Sequence, residues 1–171
     1  ESVTIWKDVP GILNADPRKQ TDTIKIDQLS YHDAVELAYS GAQVIHPKTI
    51  RPLENKKIPL YVKPFSNFTA AGSVIAEKAD PISVPVYIWR TNQVLITLRA
   101  KDFAFVLEES LSHIFQIINA NRLRVSLIQS SAVTISVCVD NTRFVAQAIE
   151  QLQDAYRVTW NENLSLLTIR G

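Results

Sequence analysis

The residues best suited to chemistry gather near the start of the chain. Asp8-Val-Pro-Gly11 follows a β-prone run, Val3-Thr-Ile-Trp6. Proline and glycine fix the backbone on either side of a bend. A turn at a strand's end holds backbone groups and short side chains over a cleft, the ligand edge of an open α/β sheet. Asn14-Ala-Asp-Pro-Arg18 makes a second turn. Asp8 and Arg18 also have a plainer reading, as an ion pair that steadies the turn. His46 before Pro47 offers a base, but a histidine at a helix entry serves as a cap. The single cysteine, Cys138, lies in the apolar run Val133–Val139, so it forms no disulfide within the chain and reads as a buried, inert thiol. No two of His32, His46 and His113 stand at i, i+4, and no second thiol joins them, so a metal site has no pattern to rest on. The four glycines form no phosphate-cradling cluster. Trp89 and Trp160 read as packing or interface residues rather than ligand-stacking groups.

The elements that must position these residues follow from periodicity. The chain has 171 residues, 46% hydrophobic and 20% charged, enough apolar material for one medium or two small cores. Eighteen basic and seventeen acidic residues leave a net charge of +1, with no electrostatic footprint for nucleic acid. No apolar stretch approaches the roughly 20 residues that cross a bilayer, and no signal peptide opens the chain, which points to the cytoplasm. The absence of methionine points to an internal segment of a longer chain. Ser30 should cap a helix, with Asp33 completing a capping box and Gly41 ending it. A short helix should run from Pro47 through Leu53, and a strand from Ile58 to Val62. Lys63 to Pro81 reads as irregular, with a linker at its end. Strands are then expected at Val84–Trp89, Val94–Leu98, Leu123–Ile128, Val133–Val139 and Tyr156–Thr159, with a turn at Asn161–Asn163 and a last strand after it. Helices are expected from Asp102 to about Asn119, and after an Asp140-Asn-Thr142 cap. From Val94 to Thr159 the order is β-α-β-β-α-β, a ferredoxin-like antiparallel sheet with two helices on one face.

Three blocks resemble one family. Trp6-Lys-Asp-Val-Pro-Gly-Ile-Leu-Asn-Ala-Asp-Pro-Arg18 is similar to the nucleotide-site segment of aspartokinases. Leu29 to Ile50 resembles the segment that follows, and Ile58–Phe65 with Gly72–Ile75 the last kinase strand and exit. The part beyond resembles the regulatory ACT domain of that family. The resemblance implies an α+β chain: a truncated α/β amino-acid-kinase segment over 1–80, then an ACT domain over 81–171 with an incomplete second ACT unit. It implies a parent enzyme that moves the γ-phosphoryl of ATP, with magnesium as counter-ion, onto the side-chain carboxylate of L-aspartate. It places Lys7, Asp8, Leu13, Arg18, Gln43 and Val44 at the nucleotide. Gln43 stands where the family pattern carries lysine, and Leu13 where an aromatic is common. Half of such a site is expected to leave these residues alone inactive as a kinase.

The same resemblance implies an effector site at an ACT dimer interface, between Lys101–Leu107 of one copy and Val125–Ser131 of the other. Val125, Ser126, Ser130 and Ser131 are its candidate residues, with hydroxyls for an amino acid's carboxylate or amine. Strand-end serines also cap backbone groups. Glu108 and Glu109 could supply charge to the effector or simply favour a helix N-terminus. Lysine is the expected effector, threonine the next, and a homodimer the expected assembly. A free-standing amino-acid-sensing ACT module without a kinase role is the alternative. A ferredoxin-like RNA binder would need sheet-surface aromatics and basic residues, which Val125–Ile128 and Val133–Ser136 lack.

Overall fold

The computed structural model describes residues 1–42, 45–101 and 108–171. The backbone divides into two units, Glu1–Trp89 with Leu167–Gly171, and Arg90–Leu166.

The first unit opens with β1 (Val3–Lys7), the short strands β2 (Ile12–Leu13) and β3 (Lys25–Ile26), and β4 (Gln28–Ser30). Helices α1 (Tyr31–Ser40) and α2 (Pro47–Asn55) follow, then β5 (Leu60–Pro64) and β6 (Ser73–Ala76). The sheet order is β1-β5-β6-β4, with β1 parallel to β5, β4 parallel to β6, and β5 antiparallel to β6. β2 and β3 form a separate antiparallel pair. Leu29, Ile50, Leu60, Val62 and Ile75 are fully buried and bind the helices to this sheet.

Local chemistry sets the helix ends. Ser30 Oγ accepts from Asp33 N at 3.0 Å and donates to Asp33 Oδ2 at 2.6 Å, a compact capping box. Gly41, at φ 117°, closes α1 with a left-handed cap. His46 Nδ1 accepts from Lys48 N at 3.1 Å, so this histidine is the cap that its position before Pro47 indicates. The stretch expected to be irregular contains β6, a strand of alternating burial that starts directly after Gly72. Its parallel neighbour β4 lies far away in sequence, and turn residues surround it, so local composition hides it.

The second unit is built from β7 (Val86–Ala100), α3 (Glu108–Ala120), β8 (Val125–Ser130), β9 (Thr134–Asp140), α4 (Val145–Gln153) and β10 (Tyr156–Arg170), the division between units falling within β7 and β10. The strand order is β10-β7-β9-β8, with β9 antiparallel to both neighbours. This is the ferredoxin-like order expected from β-α-β-β-α-β. Ile96, Leu98, Ile114, Ile135, Val137 and Leu152 fill its core.

Three boundaries differ from expectation. The two strands expected at Val84–Trp89 and Val94–Leu98 are one, β7, because Asn92 takes φ 55° inside the strand and lets it continue. Asn163, at φ 58°, does the same in β10, so Asn161–Asn163 is a kink and not a turn. Asparagine tolerates the left-handed region better than most residues, so a turn residue and a strand kink look alike in sequence. The second helix starts from Phe144 without a side-chain cap, past Asp140-Asn-Thr142; Phe144 N reaches Thr142 Oγ1 at only 3.4 Å. The expected start of the first helix, at Asp102, falls outside the described residues.

Candidate functional site

The site grows from the end of β1. The chain leaves the strand at Lys7 and turns through Asp8–Gly11. A Cβ on Gly11 would come within 2.4 Å of Ser73 Oγ, so glycine alone lets this turn close onto β6. Ser73 is 1% exposed; its hydroxyl accepts from Ile12 N at 2.8 Å and donates to Ile26 O. One side chain thus fixes both strands of the β2–β3 pair. Asn14 fixes the next stretch. Buried to 3% exposure, it accepts from Ile24 N at 2.7 Å and donates from Nδ2 to Pro85 O at 3.0 Å. Its carbonyl also accepts from Tyr87 N at 2.7 Å. The second turn is therefore tied to the start of β7.

Between these segments and the end of α1 lies a cleft of about 490 Å³. Lys7, Asp8, Leu13 and Arg18 all line it, with Leu37, Gly41 and Ala42 from the helix end and Val86–Trp89 from β7. The structure brings these first four to one place. Gln43 and Val44 lie outside the described residues, directly after Ala42.

Arg18 is held by its own turn. Its Nε and Nη2 donate to the two oxygens of Asp16 at 3.0 and 2.9 Å, and its backbone N donates to Asp16 Oδ1 at 2.9 Å. The ion pair that steadies this turn is thus Asp16–Arg18, not Asp8 with Arg18. Arg18's hydrogen bonds hold the Asp16 carboxyl below its usual range. The sign follows: the carboxylate stays charged through neutral pH, and the pair is lost as pH falls through the lowered value. Both partners reach solvent, so the pair is weak in energy and open to competition. Chemically, the cleft offers cations, a carboxylate, backbone groups of a tight turn and an apolar wall. That combination suits an anionic ligand with a flat apolar part. No group of three or more potential metal ligands gathers among the described residues.

The sequence reading did not single out Asn14 or Tyr87, and it assigned Trp89 to packing. Tyr87 and Trp89 stack with ring centroids 6.1 Å apart and planes at 28°, and both line the cleft. The available signal was their spacing: residues two apart on a strand share a face.

In the second unit the four candidate effector residues occupy one edge strand and its turn. Val125 packs against the core. Ser126 Oγ accepts from Arg90 Nη1 at 2.8 Å. Ser130 pairs with Ile135 in the ladder. Ser131 shares a 2.6 Å hydroxyl contact with Thr134 and accepts from Thr134 N at 3.1 Å, the capping role open to a strand-end serine. Residues 102–107, where the other wall of such a site was expected, lie outside the described residues, as do the side chains of Glu108 and Glu109. Trp160 is 42% exposed on β10 and donates to Glu162 at 3.2 Å.

Cys138 is buried, with its thiol directed to Gln93 Oε1 at 3.6 Å. Burial, then the negative charge of Asp140, pushes the thiol up from its ordinary pKa. The thiolate fraction at pH 8 therefore falls below that of a free thiol. Alkylation by iodoacetamide is expected to be roughly a hundredfold slower in the folded chain than in urea. Equal rates in both, followed by mass spectrometry, would contradict the buried placement.

A sequence model described as the Amino acid kinase family matches residues 1–64. The lysine-sensitive aspartokinase 3 of Escherichia coli strain K12 is 30% identical over 99% of this chain. The crystal structure of the E. coli aspartokinase III complex with lysine and aspartate superposes on 98% of the chain with a TM-score of 0.80 and 29% identity. The chain belongs to the aspartokinase family. A second E. coli aspartokinase III structure, with aspartate and ADP, gives a TM-score of 0.82 at 29% identity over the same share. The chain spans 39% of the length of each of these relatives. The matched residues 1–64 hold β1 to β5 and the Lys7–Arg18 side of the cleft; Tyr87 and Trp89 lie beyond them. Among the described residues no helix is long and apolar enough to cross a membrane.

Proposed function

We propose that this chain supplies the nucleotide-facing edge and the regulatory module of an enzyme that phosphorylates the side-chain carboxylate of L-aspartate with ATP. One observation carries this reading: Lys7, Asp8, Leu13 and Arg18 line a single cleft at the end of β1. Lys7 and Arg18 serve as cations toward the phosphates, and Leu13 packs beside the nucleoside. Asp8 contacts the nucleotide at the turn. Gln43 and Val44 continue the same edge. Phosphoryl transfer depends on position and charge stabilisation, so the 171 residues alone are expected to bind without turning over. Residues 1–80 act as the kinase part and 81–171 as an ACT part that pairs with a second copy in the cytoplasm. The ACT part binds an amino acid through Val125, Ser126, Ser130 and Ser131, with lysine first in line and threonine second. The E. coli relative is named as lysine-sensitive, which supports that order.

The test is trapping of the acyl phosphate product with hydroxylamine, on the complete enzyme that contains these residues. ATP- and aspartate-dependent hydroxamate is expected, suppressed by lysine. Lys7→Ala should raise KM for ATP by about tenfold, the loss of one charge-assisted contact, and leave KM for aspartate in place. No product, or a KM for ATP unmoved by Lys7→Ala, would overturn the assignment.

A further inference from the structure

The cleft contains a feature that the phosphate-directed residues leave unused. Of its described lining residues only Tyr87 and Trp89 carry aromatic rings. They stand two apart on β7, stack at 6.1 Å, and are each only half-buried. Their backbone neighbours Val86 and Ile88 are buried in the core, which fixes the strand from behind. Asn14 fixes it from the side, through Tyr87 N at 2.7 Å and Pro85 O at 3.0 Å. An aromatic pair held at two backbone points is rigid before any ligand arrives, so little freedom is lost on binding. Leu13, which also lines the cleft, has no ring to offer. A half-exposed aromatic stack beside cations, in a cleft of about 490 Å³, fits a planar heterocycle joined to an anionic tail.

We infer that Tyr87 and Trp89 form the stacking wall for the nucleotide base, and that they give the cleft a preference for purine over pyrimidine nucleotides. This rests on the nucleotide reading of the cleft. Stacking strength grows with ring area, so the wall separates purines from pyrimidines but does not by itself separate adenine from guanine.

Equilibrium dialysis of the chain with magnesium ATP, magnesium CTP and magnesium tripolyphosphate tests it. The wild type should bind ATP more tightly than CTP or tripolyphosphate. The paired change Tyr87→Leu with Trp89→Leu should weaken ATP by about tenfold or more while leaving tripolyphosphate where it was. Tyr87→Phe with Trp89→Phe keeps two rings and should retain most of the ATP affinity, which separates stacking from loss of fold. Circular dichroism of each variant accompanies the comparison. Unchanged ATP binding in the leucine pair, with tripolyphosphate still bound, would overturn the stacking wall and leave the nucleotide reading standing. Equal wild-type affinity for ATP and tripolyphosphate would also overturn it. A folded wild type that binds none of the three would remove the nucleotide reading and the wall together.

Discussion

Gly72→Ala is expected to destabilise the first unit by about 3 kcal/mol, a large part of a typical domain's margin. Two effects add. Gly72 takes φ +71°, and an L side chain there costs about 1–2 kcal/mol. The new Cβ would also lie 2.2 Å from Val62 O, a backbone atom of β5. Val62 pairs with Ser73 in the β5–β6 ladder, so the backbone cannot withdraw without opening that ladder. The adjacent Ser73 would shift with it, and with Ser73 the anchor of Ile12 and Ile26. The damage should therefore reach the cleft. Urea unfolding followed by the fluorescence of Trp6 would report it, on a background lacking the other two tryptophans. A transition midpoint equal to that of wild type would show that the turn can relax.

The second large effect is expected at Asn14. Asn14→Ala removes the acceptor for Ile24 N and the donor for Pro85 O; a fully buried group left unpaired costs about 1–3 kcal/mol, and these two are only part-buried, so each costs less than the upper end. A loss of about 2–4 kcal/mol should follow, together with weaker nucleotide binding, because β7 is released from the cleft turn. Asn14→Asp sharpens the reading. It keeps the acceptor toward Ile24 N but turns a carboxylate toward the carbonyl of Pro85. Only the protonated form can donate there, so folding raises the pKa of the introduced carboxyl. The native contact then persists below the unfolded value, near 3.9, and is lost as pH rises through the raised folded value. The deficit relative to wild type should be small in acid and full at neutral pH. A deficit independent of pH would mean that the Pro85 contact contributes nothing.

Much of this arrangement was legible because it is local. Ser30 with Asp33, Gly41, and His46 before Pro47 announce the ends of α1 and the start of α2 within a few residues. Asp8–Gly11 announces a turn, and the order of elements after Val94 announces the ferredoxin-like sheet. What stayed hidden depends on distant partners. β6 is a strand because β4 and β5 flank it, although its own surroundings are rich in turn residues. Asn92 and Asn163 read as breaks, yet the long strands β7 and β10 absorb them. Asp16, not Asp8, partners Arg18, because the bidentate geometry closes over a two-residue gap. Trp89 looked like packing until the bonds from Asn14 placed its strand along the cleft.

The Asp16–Arg18 pair also changes how the cleft would respond to different anions. The guanidinium already has a carboxylate tethered two residues away, at a high effective concentration. A free anion arriving alone, such as inorganic phosphate, would have to displace this weak resident partner and would gain only the difference between the two contacts. An anion delivered on a molecule already gripped elsewhere in the cleft competes on equal terms, because its own effective concentration is raised in the same way. If the cleft takes the nucleotide proposed above, Arg18 is expected to act as a coincidence detector, adding affinity only for ligands that satisfy the rest of the site first.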